Sequence, residues 1–242
     1  MASLKEVKGR IASVNSTRKI TSAMKMVASA KLHKAQAAIE SMLPYERRLH
    51  HILTDFMSNC TEVTSPFIVK REVKKVAVVV FASNTSLCGG FNANVIRHLV
   101  DLLAEYKPLG LENILVFPVG KKVADAVRKL GFRIEGDFQH MADKPSYQEA
   151  ADLAADLMKR FLHGDVDKVE LLYNHFKSTA SQILTRETYL PIDLNNEKKE
   201  EERTIDYILE PSAEELMQEM LPKVLRMKMF TVLLDSNAAE HA

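Results

Sequence analysis

The chain has 242 residues, 46% apolar and 27% charged, with a net charge of only +1, enough to bury one sizeable core plus an extension. No apolar run approaches the roughly 20 residues that span a bilayer, so no direct membrane insertion is expected. Two cysteines, Cys60 and Cys88, form no disulfide framework and suit a reducing compartment, and charges from Lys5 onward leave no room for a signal peptide.

The first forty residues read as one helix. Neither Gly nor Pro falls between Gly9 and Pro44, so nothing there stops it. Leu4, Val7, Ile11, Val14, then Ile20, Met24, Val27, then Leu32, Ala35, Ile39 and Met42 recur in steps of three and four. That is a coiled-coil seam whose phase slips between Val14 and Ile20 and again after Val27. At 1.5 Å per residue such a helix is about 60 Å long and needs a partner helix alongside.

Its charge is lopsided. Lys5, Lys8, Arg10, Arg18, Lys19, Lys25, Lys31 and Lys34 face one acid, Glu6, before Glu40. Three readings compete: a solvated coiled-coil face, a basic arm for nucleic acid, which lacks interleaved aromatics, and a transit peptide, which would not carry a seam so far.

Pro44 predicts a bend or local break with helix on both sides, resuming through Leu49, Ile52, Leu53, Phe56 and Met57. Residues 58–72 read as a connector. From Val73 strands and helices alternate. "VKKVAVVVFAS" is a buried strand; a Gly-Gly loop leads to a helix through Leu99, Leu102, Leu103 and Tyr106. "NILVFPVG" is the next strand, with Pro118 at its end, where a missing N–H does least harm. A short helix over 121–130 closes at Gly131, and "FRIEGDF" is a weaker strand. Ser146 with Glu149 predicts a capping box for a helix to about Leu162, closed by Gly164. "DKVELLYNHF" and "QILTRETYLPI" form a hairpin around Ser178 to Ser181. The order implies an open, mostly parallel α/β sheet.

"NNEKKEEER" (195–203) reads as a solvated loop, and Ser212 with Glu215 as a second capping box. The last helix carries Leu216, Met220, Val224, Met227, Phe230 and Leu234 at steps of three and four, which makes it the shaft's expected partner. The division is thus 1–57 shaft helix, 58–72 connector, 73–209 α/β domain and 210–242 C-terminal shaft helix.

Chemical motifs are sparse. "SLCGGFNAN" between strand and helix admits a cysteine nucleophile or a phosphate-cradling turn. It has neither G-x-G-x-x-G nor G-x-x-x-x-G-K-[ST] and no Lys, so a tight turn with close backbone packing is the expected reading. The eight His residues show no metal-ligand spacing, Glu214-Glu215 sit in a first helical turn, and no cofactor or catalytic residue is expected.

"LKEVKGRIASVNSTRK" followed by "ITSAMKMVASAKL", then "SLCGGFNANV" at 86–95 and "EPSAEELMQEMLPKVL" at 210–225, resembles the gamma subunit family of F-type ATP synthases, in a bacterial-like form. The resemblance implies a non-catalytic central-stalk rotor that couples proton flow through the membrane c-ring to ATP synthesis or hydrolysis at α/β catalytic sites. Its partners would be the α and β subunits, the epsilon subunit and the c-ring, with no nucleic acid, at the cytoplasmic face of the bacterial membrane. It places Lys19, Thr21 and Met24, with Lys25 beside them, where the family's shaft meets catch loops of the surrounding subunits. Glu210, flanked by Tyr207 and Leu209, falls where the family's foot approaches the c-ring; Leu209 departs from the aromatic expected there. The match stops at "LLDSNAAEHA", part-way into the family's C-terminal signature helix, so the sequence is expected to be truncated at that end. A basic coiled-coil nucleic-acid binder on an α/β scaffold is the rival reading, and a doubly wound small-molecule enzyme is third.

Overall fold

The structure is a computed structural model that describes residues 3–59, 65–192 and 213–242. Cys60, the charged loop 195–203, Tyr207, Glu210 and the Ser212 cap lie outside them.

Helix α1 runs Leu4–Asn59, 56 residues with Pro44 inside, about 84 Å at 1.5 Å per residue. The expected local break is absent: the helix assignment is continuous through Pro44. Proline frees the carbonyl four residues earlier, and both Pro44 and Glu40 are exposed, so water can take that bond.

Strands β1 (Val76–Phe81), β2 (Ile114–Val119), β3 (Arg133–Ile134), β4 (Lys168–Ser178) and β5 (Ser181–Leu190) make one sheet in the order β3-β2-β1-β4-β5. All pairs are parallel except the β4–β5 hairpin. The "FRIEGDF" strand shrinks to two residues, and that shortness accommodates Pro118. The Val116 carbonyl accepts from Glu135 N–H on the β3 side, while Val119 faces β1 by accepting from Ala82. Backbone polar groups alternate sides along a strand, so Pro118 points toward β3, which has already ended.

The valines of β1 split between two faces. Ala77, Val79 and Phe81 enter one core, while Val76, Val78 and Val80 enter the other. Helices α2 (Phe91–Tyr106) and α3 (Lys121–Leu130) cover the second face through Val95, Leu99, Leu103, Val123 and Val127. Helices α4 (Gln139–Asp143), α5 (Tyr147–His163) and α6 (Ala213–His241) cover the first. Burial on both sides is what a parallel valine-rich strand demands, and each large side chain fully buried contributes about 1.5–3 kcal/mol. Glu170 breaks the apolar pattern of β4 at 2% exposure. Burial alone would raise its pKa, but Arg186 and Lys168, with Tyr106, hold it below the usual carboxylate range.

One expectation about α5 needs correction. Ser146 is the N-cap of α5 but makes no side-chain cap bond. Glu149 reaches instead to His140 Nδ1 at 3.2 Å, because α4, unforeseen in the sequence, lies within its reach. The six seam positions of α6 fall within about 120° of arc at 100° per residue, so they share one side of the helix. Leu216, Val224 and Phe230 pack against the sheet core beside the fully buried Met217, Leu221, Leu225 and Met229. Met227, Leu234 and Ala238 are buried without joining that core. At about 100° per residue they lie away from Met217, Leu221, Leu225 and Met229, whose stripe faces the sheet, and α6 also packs against α1. The pairing is antiparallel: Lys31 acts on Glu240 and His241 near the end of α6. Burial raises the Tyr173 phenol, reinforced by Glu187, Asp235 and, from α1, Glu46.

The rest of α1 stands clear. Every residue from Ser3 to Lys31 is exposed, Leu4 by 74% and Val14 by 67%, whereas Ala35 and Ile39 are buried. An isolated helix is marginal in water and draws its stability from burying an apolar face. Amides of Leu4–Val14 are therefore expected to exchange with solvent far faster than those of Ala35–Ile39 or Val232–Leu234. Equal protection along α1 in a chain shown to be monomeric by sedimentation would contradict this.

Candidate functional site

Two regions bear on function: the bare face of α1 and the strand-to-helix loop that meets it. The loop from Ala82 to Gly90 follows β1 and is held from within. Asn92, 9% exposed on the first turn of α2, accepts the Ser83 N–H at 3.0 Å. Its amide group donates to the Ser83 hydroxyl at 2.9 Å, the Thr85 carbonyl at 2.8 Å and Cys88 Sγ at 3.0 Å. Asn84 reaches the other way, donating to the Gln139 carbonyl and accepting the Lys121 N–H that opens α3.

"SLCGGFN" is thus a latch. Cys88 is one of its acceptors, and its sulfur meets Ser83, Thr85 and Asn92, none of which is a base that could activate a thiol. Gly90 opens α2, and a side chain there would meet only Asn94 at 3.4 Å. The close backbone approach expected of Gly89 and Gly90 occurs at Gly120 instead. A Cβ there would lie 2.1 Å from the Ala82 carbonyl oxygen, at φ +114°, so only glycine fits.

The shaft candidates Lys19, Thr21, Met24 and Lys25 are all exposed on α1. They do not share one face. Met24 lines a cleft of about 1020 Å³ with Ile20 and Val27 of α1, Leu87 and Cys88 of the loop, and Asn174 and Gln182 of the hairpin. At about 100° per residue, Thr21 and Lys25 turn to one side of Met24, and Lys19 lies opposite Thr21. Thr21 Oγ1 donates to the Thr17 carbonyl at 2.9 Å, so its hydroxyl is turned onto its own helix. The ammonium groups of Lys19 and Lys25 have no ion-pair partner among the described residues. Among those residues, no three His, Cys, Asp or Glu are grouped to hold a metal ion.

The cleft also shows what sequence reading missed. Asn174 is 5% exposed, and its Nδ2 has no hydrogen-bond partner in the structure. At the far end, Glu240 of α6 is pushed up to about 7 by burial and by Asp143 of α4, with Lys31 of α1 acting the other way. His241 is lowered by burial and Lys31, and raised by Asp143. Only the antiparallel pairing brings these groups together, and neither Glu240 nor His241 belongs to a motif.

Two outcomes follow from this geometry. Replacing Asn92 by Ala leaves the buried Ser83 N–H unpaired, and a cost of about 2–3 kcal/mol is expected in urea unfolding. Cys88→Ser, which keeps a polar acceptor, should cost less than about 1 kcal/mol. For Glu240 the folded pKa lies above the ordinary value, so the folded state holds the proton more tightly. Its contribution to stability is fully present below about pH 4.5 and is lost as pH rises toward about 7. Glu240→Gln should therefore raise the melting temperature at pH 8 and leave it unchanged at pH 4.5.

A family model described as ATP synthase matches residues 3–242. The ATP synthase gamma chain of Phocaeicola vulgatus is 80% identical over 244 residues, covering 100% of this chain and 84% of that protein. The gamma chain of Parabacteroides distasonis is 49% identical with the same coverage. A chain in the central stalk and c-ring structure of the Tetrahymena thermophila mitochondrial ATP synthase shares the fold, with a TM-score of 0.63 and 21% identity. That match covers 92% of this chain and 94% of the other. With the two helices and inserted sheet described above, these similarities lead to one conclusion: the chain belongs to the ATP synthase gamma chain family.

Proposed function

We infer that the chain is the central-stalk rotor of an F-type ATP synthase, non-catalytic by itself. It couples ion flow through a membrane c-ring to the catalytic sites on α and β subunits. The single observation that carries this, beside family membership, is the exposed stretch Ser3–Lys31 of α1, basic and apolar at once, whose Ile20–Lys31 part faces the α/β body only across a cleft. At 1.5 Å per residue it extends about 43 Å, long enough to stand inside a ring of other subunits. Residues 1–57 and 210–242 then form the shaft and 73–209 the foot, joined through 58–72.

Coupling by rotation needs a stiff element whose sides differ, so that each catalytic site meets a different surface as the shaft turns. The unequal faces of α1 supply this: Met24 and Ile20 on one, Thr21 and Lys25 on another, Lys19 on a third. We assign these as rotor–stator contacts. In this reading the foot, through Tyr207 and Glu210, contacts the c-ring, and it binds the epsilon subunit. No helix among the described residues is long and apolar enough to cross a membrane. A peripheral place on the cytoplasmic face of the bacterial membrane fits such a subunit. The nucleic-acid reading is not favoured by any observation: the family match spans the basic helix and the sheet domain together.

The test is Met24→Lys in the assembled synthase in inverted membrane vesicles. A second cation beside Lys25 adds ion pairs to the ring in some rotary positions, worth about 1–3 kcal/mol. ATP hydrolysis is expected to persist while proton pumping per ATP falls. Unchanged pumping would remove Met24 from the contact surface, and failure of the parent chain to assemble with α and β subunits would remove the rotor reading.

A further inference from the structure

A rotor must carry torque between foot and shaft, and α6 belongs to both. Its apolar residues Met217, Leu221, Leu225 and Val232 share a core with the sheet. Close apolar packing sets how the helix lies on the sheet. Directional ties stiffen that packing, among them four polar contacts between α6 and the foot. The Tyr189 hydroxyl donates to the Leu225 carbonyl at 2.7 Å, Lys228 meets Glu187 at 3.2 Å, and Asn237 donates to the Ala142 carbonyl at 2.9 Å.

The fourth is Asp235, and it is the strongest. Its Oδ1 accepts the Phe176 N–H at 2.7 Å, and its Oδ2 lies 2.6 Å from His175 Nδ1. Both are short bonds to a carboxylate, the stronger class of hydrogen bond. Its position matters as much. β1 pairs with β4 only as far as Leu172, so beyond that point the hairpin is held in the sheet by the β4–β5 ladder alone. Asp235 grips β4 there, next to the register shift between Phe176 and Ser178. At 5% exposure a carboxylate is costly to bury unless its partners are in place.

We propose that Asp235 is the clamp that makes the outer β4–β5 hairpin and helix α6 turn as one body, a positioning residue for rotary coupling. The proposal rests on the rotor reading above. With the clamp released, the foot can turn a few degrees before α6 follows, and that part of each rotary step is lost as slip. Chemistry on the α and β subunits does not need Asp235, so hydrolysis and coupling separate.

The experiment compares parent, Asp235→Ala and His175→Gln chains, each full length and assembled in the synthase in inverted membrane vesicles. Assembly, ATP hydrolysis and ATP-driven proton pumping are measured together. For Asp235→Ala we expect normal hydrolysis per assembled complex and a partial loss of protons pumped per ATP. A loss that only destabilised the chain would lower assembly and leave pumping per assembled complex unchanged, and that result overturns the proposal. Should Asp235→Ala fail to assemble, His175→Gln decides. That side chain is 49% exposed, so its replacement leaves the core intact. Reduced pumping per ATP supports the clamp, and parental pumping overturns it. Absence of pumping by the parent itself would instead count against the rotor reading.

Discussion

The structure depends on α6 being buried on two sides at once. One side, through Leu221, Leu225 and Met229, completes the core under β1, β4 and α5; the helix also packs against α1. Without α6 the first face of the sheet would keep only α4 and α5 over it, and α1 would lose the helix it packs against. A helix apolar on one stripe can sit on a surface, but one buried on two sides fixes the geometry between the bodies it touches. That places the sheet relative to the shaft, and with it the loop, the hairpin and the cleft between them.

The same constraint divides the polar chemistry. Charges along the bare part of α1 are solvated, with Arg10 and Glu6 pairing at 3.3 Å on the surface, and such pairs add little to stability. The buried acids behave differently. Glu170 is matched by Lys168 and Arg186 on the α2 face, and Asp235 by His175 and a backbone N–H on the α6 face. Each sits where β4 meets another element, so β4 carries a fixed polar tie on both of its faces. The bare shaft carries none, which leaves its surface available for contacts that change as it turns.

Glycine and asparagine divide the work of the loop after β1. Gly120 lets the end of β2 pass against Ala82, and Asn92 fills the polar groups that this tight turn leaves unpaired. A motif that reads as chemistry in isolation is here a way of closing one backbone on another. Its cysteine is an acceptor within that closure.

What the sequence determined by itself was local or periodic. The helix up to Pro44, the valine strand, the helix ends at Gly131 and Gly164 and the β4–β5 hairpin all follow from spacing, left-handed glycines and alternation. The family was legible because its motif lies in one contiguous stretch of α1. Tertiary structure decided whatever depends on two elements meeting. The stripe Leu216, Met220, Val224, Met227, Phe230 and Leu234 lies on one side of α6 as its spacing implies, but the second buried side, Met217, Leu221, Leu225 and Met229, is set by the sheet that covers it. The Ser146–Glu149 box gave way to His140, because α4 supplies a partner that no local pattern announces. Lys19, Thr21, Met24 and Lys25 are neighbours in sequence but not on the helix surface, since 100° per residue scatters adjacent positions. Asn92, Asp235 and Glu240 owe their surroundings to residues on other elements, so their roles exist only once the sheet and the two helices are packed.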